Sequence, residues 1–249
     1  MIDKAMYVAM TGASATLKAQ ASVSHNLANA NTVGFQATLS GTVAAPVAGE
    51  GHGSRVAAGF QSLGVSGTPG AINVTGNALD VAMQPDRWLA VQTPGGEVAY
   101  TRSGNLQLSQ NGLLTTASGL SVLDQAGAPV AIPPHESMLI GNDGTISVVP
   151  LGQPANTMAE VGRLQIAAAR TAELERGDDG LMRMPAGAAP LPPAAGEVLT
   201  AGALEQSNVD STSMLVSMIQ LSRQFEMQVR VLQSSDDNAK ASNSMLSAR

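Results

Sequence analysis

From Ala203 to Arg249 the chain contains neither Gly nor Pro, although all 26 Gly and all 13 Pro lie in the residues before it. Without either helix breaker, that length permits a single long helix. The apolar spacing asks for one. Leu215, Met218, Phe225, Val229, Leu232, Ala239 and Leu246 share one alternation of three and four, a narrow stripe interrupted by Ser222, Asp236 and Asn243. Asp210 or Ser211 can cap its start. A helix over 211–246 would run about 50 Å. That is too long for one compact domain, so a helical partner is expected outside the main core.

The other end of the chain offers that partner. Residues 1–31 read as a helix, with Met6, Met10, Ala13, Leu17, Ala21, Ser24 and Ala28 on one line. Ile2, Ala9, Val23 and Leu27 widen the stripe, and only Gly12 interrupts it. In the following Asn26-Leu27-Ala28-Asn29-Ala30-Asn31-Thr32-Val33-Gly34-Phe35, Asn29 and Asn31 can end the helix. Gly34 allows a turn that aims Phe35 back onto a neighbour. Neither terminal helix can bury its stripe alone, so the two are expected to pair.

Between them, residues 36–76 are rich in Gly, Ala, Ser and Val and read as an extended, loop-like arm. An irregular stretch that long fits poorly inside an isolated domain and suits ordering by neighbouring subunits. Residues 77–200 read as a β domain. Trp88–Gln92 and a second strand near Val98–Arg102 flank the turn Pro94-Gly95-Gly96. Leu106 and Leu108 alternate with polar residues before Asn111-Gly112 turns into Leu113 and Leu114. Met138–Ile140 and Ile146–Val149 flank Asn142-Asp143-Gly144, the strongest hairpin signal. Val161–Ala168 reads as one strand, and Asp178-Asp179-Gly180 as a turn into Leu181. The fold class is therefore α+β, with terminal helices 1–35 and 201–249 paired as a coiled coil, an arm at 36–76 and an antiparallel β domain at 77–200.

Composition narrows the function. Charged residues are 13%, where about 25% is typical, and only three Phe, two Tyr and one Trp supply large anchors. Such a chain packs through many small contacts and suits repeated subunit neighbours better than a deep pocket. Net charge is −6 with no basic cluster, which argues against nucleic acid. The absence of Cys excludes disulfides, thiolate zinc sites and a Cys nucleophile. No apolar run reaches the 18 residues of a membrane span, so no direct membrane insertion is expected, and no basic-then-apolar leader opens the sequence.

Catalytic patterns are wanting. His25, His52 and His135 are dispersed, without the spacing of a helical metal pair. Asp178-Asp179 reads as a solvated turn and Asp236-Asp237 as a solvated helix face. No nucleophile elbow or phosphate-binding loop occurs, and Gly49-Glu50-Gly51-His52-Gly53 reads as loop. Neither a cofactor nor an enzymatic activity is expected.

The stretch NLANANTVGF, Asn26–Phe35, resembles the signature of bacterial flagellar axial proteins, the rod, hook and related components. Other marks of that family follow in order. They are Asn77–Ala82, Ala99-Tyr100-Thr101-Arg102-Ser103-Gly104-Asn105, Asn111-Gly112 and Ser207-Asn208-Val209-Asp210, then Met214, Met218-Ile219, Arg223 and Phe225-Glu226. The opening Met6–Ala13, Asp86-Arg87-Trp88-Leu89 and Asp178–Leu181 are more similar to the proximal-rod members than to the distal-rod ones. Position 36 is Gln, where the family often carries Lys or Arg.

The resemblance implies a structural subunit of the periplasmic rod of the flagellar basal body. Its terminal helices would form an inner coiled coil, its β module would face outward, and rotational load would pass through the array. It implies export through the flagellar type III apparatus without a cleaved signal. The implied partners are other proximal-rod and distal-rod subunits, copies of itself and that apparatus. The residues expected at the assembly interface are Met6, Met10, Leu17, Asn26, Leu27, Asn29, Gly34, Phe35, Asn208, Met218, Phe225, Val229 and Leu232. A paralogous distal-rod or hook subunit, a non-flagellar dimeric β binding module and a cell-wall hydrolase are the alternatives. The last would need convergent titratable groups that the sequence does not offer.

Overall fold

Two helices bracket the chain: α1 spans Ile2–Ala28 and α2 spans Ser211–Ser247. The computed structural model describes residues 2–46, 56–154, 157–189 and 191–247, and the side chains of 2–5, 242–243 and 246–247 are outside that description. The loop at Gly49–Gly53, with His52, therefore lies outside the described residues, as do the side chains of Ile2, Asn243 and Leu246.

Among the described residues, seventeen strands lie between the helices. They are β1 Thr38–Pro46, β2 Val56–Val65, β3 Ile72–Val74, β4 Val81–Met83, β5 Arg87–Gln92, β6 Val98–Thr101, β7 Leu106–Leu108, β8 Leu114–Thr116 and β9 Ser121–Val122. There follow β10 His135–Ile140, β11 Thr145–Pro150, β12 Ala159–Arg163, β13 Ile166–Ala168, β14 Glu175–Arg176, β15 Met182–Arg183, β16 Leu199–Ala201 and β17 Ala203–Glu205. The chain divides into two compact units. One holds Met1–Ala28, Thr38–Gly64 and Asp210–Arg249; the other holds Asn29–Ala37 and Val65–Val209.

In the helical unit, α1 and α2 pack on each other, and β1 pairs with β2 as a two-stranded sheet. The capping choice at α2 falls on Asp210. Its carboxylate accepts the Thr212 amide at 3.1 Å and the Ser213 hydroxyl, and its carbonyl accepts the Met214 amide at 3.0 Å. The Ser213 hydroxyl first, then the Thr212 amide, hold the Asp210 carboxyl below its ordinary range.

The β unit is built around β5. Its alternation places Leu89 and Val91 in one buried cluster with Leu106, Leu114, Val122, Ile146 and Ile166. Trp88 and Ala90 enter a second cluster with Tyr100, Leu123, Ala167 and Met182. A strand apolar on both faces is a central one, and β5 pairs with β6, β9 and β13. The hairpins expected at 94–96 and 142–144 form, as β5–β6 and β10–β11, and the turn expected at 178–180 joins the paired strands β14 and β15.

Two expectations need correction. Residues 36–76 are not loop-like, since β1, β2 and β3 occupy much of them. The expected single strand Val161–Ala168 is two, because the chain changes sheets: β12 pairs with β11, whereas β13 pairs with β5. At the crossing, the Leu164 amide bonds to Gly144 O and the Gln165 amide to Leu123 O, both at 2.9 Å.

Candidate assembly site

The helix faces are not turned as the sequence suggested. On α1 the buried side is lined by small residues, Ala9, Gly12, Ala13 and Thr16. A Cβ on Gly12 would meet Gln228 Nε2 at 2.9 Å, so α2 approaches this side closely. Small residues permit that approach; Met and Leu would hold the helices apart. Met10 at 55% and Leu17 at 50% relative exposure point away, and Tyr7 is exposed beside them.

Among the half-buried positions of α2, Met214, Met218, Leu221, Phe225, Gln228, Leu232, Ser235 and Ala239 form an unbroken 3-4 alternation, with Ser217 and Val229 half-buried at its side. It shares Met218, Phe225, Leu232 and Ala239 with the predicted stripe but substitutes its neighbour at the other positions. Gln228 thus stands in for Val229, which is half-buried beside it. Among the described residues of α2 no side chain is fully buried. Val216, Ile219 and Met227 are exposed, and at 100° per residue they lie on the side opposite the half-buried alternation, while exposed Val231 lies on its flank. Both helices therefore carry apolar side chains that the helix pair leaves uncovered.

Asn26, also in the helical unit, is buried and grips the start of β1. Its Nδ2 donates to Thr38 O at 2.8 Å, and its Oδ1 accepts the Thr38 amide at 2.9 Å. The side chain pairs with the strand as a backbone residue would. Met6 and Leu27 are half-buried.

The remaining signature residues meet in the β unit. Asn29 turns the chain, accepting the Thr32 amide on its carbonyl and the Thr32 hydroxyl on Oδ1, both at 3.1 Å. Gly34 has φ +68°, and its amide donates to Glu205 O at 2.8 Å. A Cβ there would sit 2.2 Å from Arg102 O, which leaves room only for Gly. Phe35 places its ring 4.7 Å from the Arg176 guanidinium. Burial pulls the Arg176 guanidinium below its ordinary range. Asn208 accepts the Ala37 amide at 2.7 Å and donates to Thr68 O at 2.7 Å, while its own amide donates to Phe35 O at 3.2 Å.

Beneath these contacts lies an ion pair that sequence reading missed. Arg102 and Glu205 are both buried, and Arg102 Nη2 lies 2.6 Å from Glu205 Oε2. Arg102 also donates to the carbonyls of Met83, Gln84 and Arg87. Glu205 Oε1 accepts the Gly70 amide at 2.9 Å and Gln36 Nε2 at 3.2 Å. Gln36 thus supplies a neutral donor to a carboxylate whose charge Arg102 already compensates. The signal available in sequence was modest: Glu205 follows Ala203 at strand spacing, which points both inward.

Family models match three parts of the chain. "Flagella basal body rod protein" matches residues 6–36, "Flagellar hook protein FlgE/F/G D1 domain" matches 82–148, and "Flagellar basal body rod FlgEFG protein C-terminal" matches 200–245. The chain is 43% identical to the flagellar basal-body rod protein FlgF of Escherichia coli K12, over 99% of both chains. It is 41% identical to FlgF of Salmonella typhimurium, again over 99% of both. It is 31% identical to the basal-body rod protein FlgG of Bacillus subtilis, over 86% of this chain and 88% of that one. The chain belongs to the flagellar basal-body rod protein family and is a structural subunit, not an enzyme.

Proposed function

We propose that this rod subunit joins the proximal part of the rod by laying the outer faces of its terminal helices against helices of neighbouring subunits. The carrying observation is the exposure of Tyr7, Met10 and Leu17 on α1, and of Val216, Ile219 and Met227 on α2, beside a seam of small residues. Large apolar side chains left outside a formed helix pair favour further association. Heterologous contacts between such faces extend as a helix of subunits instead of closing a dimer. The 3-4 alternation on α2 supports coiled-coil pairing with α1. The inner helical domain is drawn from residues 1–35 and 201–249, the arm from 36–76 and the β domain from 77–200. Of the residues expected at the interface, Met10 and Leu17 lie on these outer faces. Met6, Leu27, Met218, Phe225, Val229 and Leu232 are half-buried on the helices. Asn26, Asn29, Gly34, Phe35 and Asn208 serve by holding the segments that flank them, while the array transmits torque.

Two FlgF relatives at 43% and 41% identity over 99% of both chains support the proximal place over a distal-rod or hook one. Neighbours would be FlgG, other proximal-rod subunits and copies of this chain. Passage through the flagellar type III export apparatus, without a cleaved signal, would deliver it to the periplasmic rod. Isolation of basal bodies from strains with and without the chain tests this. The chain should co-purify with the rod, and rods should be incomplete without it; complete rods in its absence would refute the reading.

A further inference from the structure

We infer that residues 32–37 form a strap over the β unit that opens without unfolding the sheets beneath it. Thr32–Gln36 line a cavity of about 370 Å³ whose other walls include Trp88, Tyr100, Arg102 and Met182. Trp88, Tyr100 and Met182 belong to the second buried cluster. No residue of 32–37 belongs to either described cluster, so the sheets hold their cores without the strap.

What fastens the strap is chiefly polar. The Gly34 amide bonds to Glu205 O, the Ala37 amide to Asn208 Oδ1, the Asn208 amide to Phe35 O and Gln36 Nε2 to Glu205 Oε1. Arg176 Nη2 donates to Gln36 O at 2.8 Å and its guanidinium covers Phe35. Water can replace each of these, which keeps the cost of opening low. The buried charges do not oppose opening either, because the Arg102–Glu205 pair stays intact when Gln36 leaves. Regions with few buried apolar contacts open at lower free energy than the core of the same protein. Opening admits solvent to the edges of Trp88 and Tyr100 that line the cavity, while both stay in the second buried cluster.

Amide hydrogen exchange and acrylamide quenching on the purified full chain test this. Trp88 is the sole Trp, so its emission reports directly on the cavity wall. Asn208→Ala removes the side-chain bonds to the Ala37 amide, Gln36 Oε1 and Thr68 O but leaves the ion pair, the Ser66 amide on Ala37 O and the acceptor of the Gly34 amide. Gly34 is therefore the deciding reporter. Its exchange should rise at least about tenfold, since the strap loses the Ala37 bond and the longer one to Gln36, with Leu89, Ala90 and Val91 unchanged and Trp88 more readily quenched. Arg176→Gln, which loosens the strap from its other side, should act in the same direction and serves if Asn208→Ala does not fold. Gly34 exchanging at the core rate in both wild type and variant, or untouched by both substitutions, would overturn the inference.

Discussion

Arg102 and Glu205 stand 103 positions apart in the chain, yet their charged groups meet at 2.6 Å with 4% and 1% of their side-chain surfaces exposed. Every remaining arm of the pair is engaged, on the Arg side by three carbonyls and on the Glu side by the Gly70 amide and Gln36. The pair therefore joins β17 and the segments around 36 and 70 to the strand ends at 83–87 and 102.

Removing one partner strands the other charge in a dry site. Glu205→Ala should cost about 3–5 kcal/mol in chemical denaturation. The double variant Arg102→Met/Glu205→Leu should lose clearly less than the sum of its single substitutions, because it leaves no lone charge. Additive losses would show that the two groups do not depend on each other.

Gly34 and Gly96 both have positive φ, +68° and +83°, but only Gly34 is crowded, by Arg102 O. Gly96→Ala should carry the backbone penalty alone, about 1–2 kcal/mol. Gly34→Ala should exceed it, since a backbone carbonyl cannot swing aside, and Gly34→Val should abolish motility. Thermal unfolding of the two Ala variants measures the difference.

At Gly12 the neighbour is the flexible end of Gln228, not backbone. Gly12→Ala should be tolerated, gaining up to about 1 kcal/mol of helix propensity against a small shift of Gln228. Gly12→Leu should drive α1 from α2. Faster amide exchange along both helices would report it; wild-type exchange with Leu would show that the seam is not set by small residues.

The Asp179 carboxyl is held at about 2, first by the side-chain hydrogen bonds from Arg183. A depressed carboxyl stabilises the fold above its unfolded value of 3.8 and ceases to do so as pH falls toward about 2. The site is 43% exposed on the Asp side, so screening limits the effect to about 1 kcal/mol or less. Asp179→Asn should therefore lower stability slightly at neutral pH and converge on wild type near pH 2. A difference that persists at that pH would assign the effect to something other than charge.

The tail helix was legible because the absence of Gly and Pro from 203 onward and the 3-4 spacing both point to it. The seam was harder to read. Hydrophobicity ranks Met10 and Leu17 above Ala9, Gly12 and Thr16, but close helix approach rewards the small residues, so α1 buries a neighbouring side. On α2, Gln228 occupies a seam position that any apolar count passes over. The hairpins were announced by their turn residues. The strand break near Leu164 was not, because alternation continues across a change of sheet. Arg102 and Glu205 were hidden by their sequence separation, and the signature asparagines gave no sign that their partners would be Thr38, Ala37 and Thr68.

The outward apolar faces are the features on which rod assembly is argued to depend, and incorporation tests them most directly. Met10→Glu/Leu17→Glu, and separately Ile219→Glu, change exposed side chains and should leave thermal stability within about 0.5 kcal/mol of wild type. Quantifying each variant in purified basal bodies, alongside the cellular level of the chain, gives the answer. Variants that fold and accumulate normally but are depleted from the basal bodies at least tenfold are expected; wild-type incorporation with normal swimming would contradict the role given to those faces.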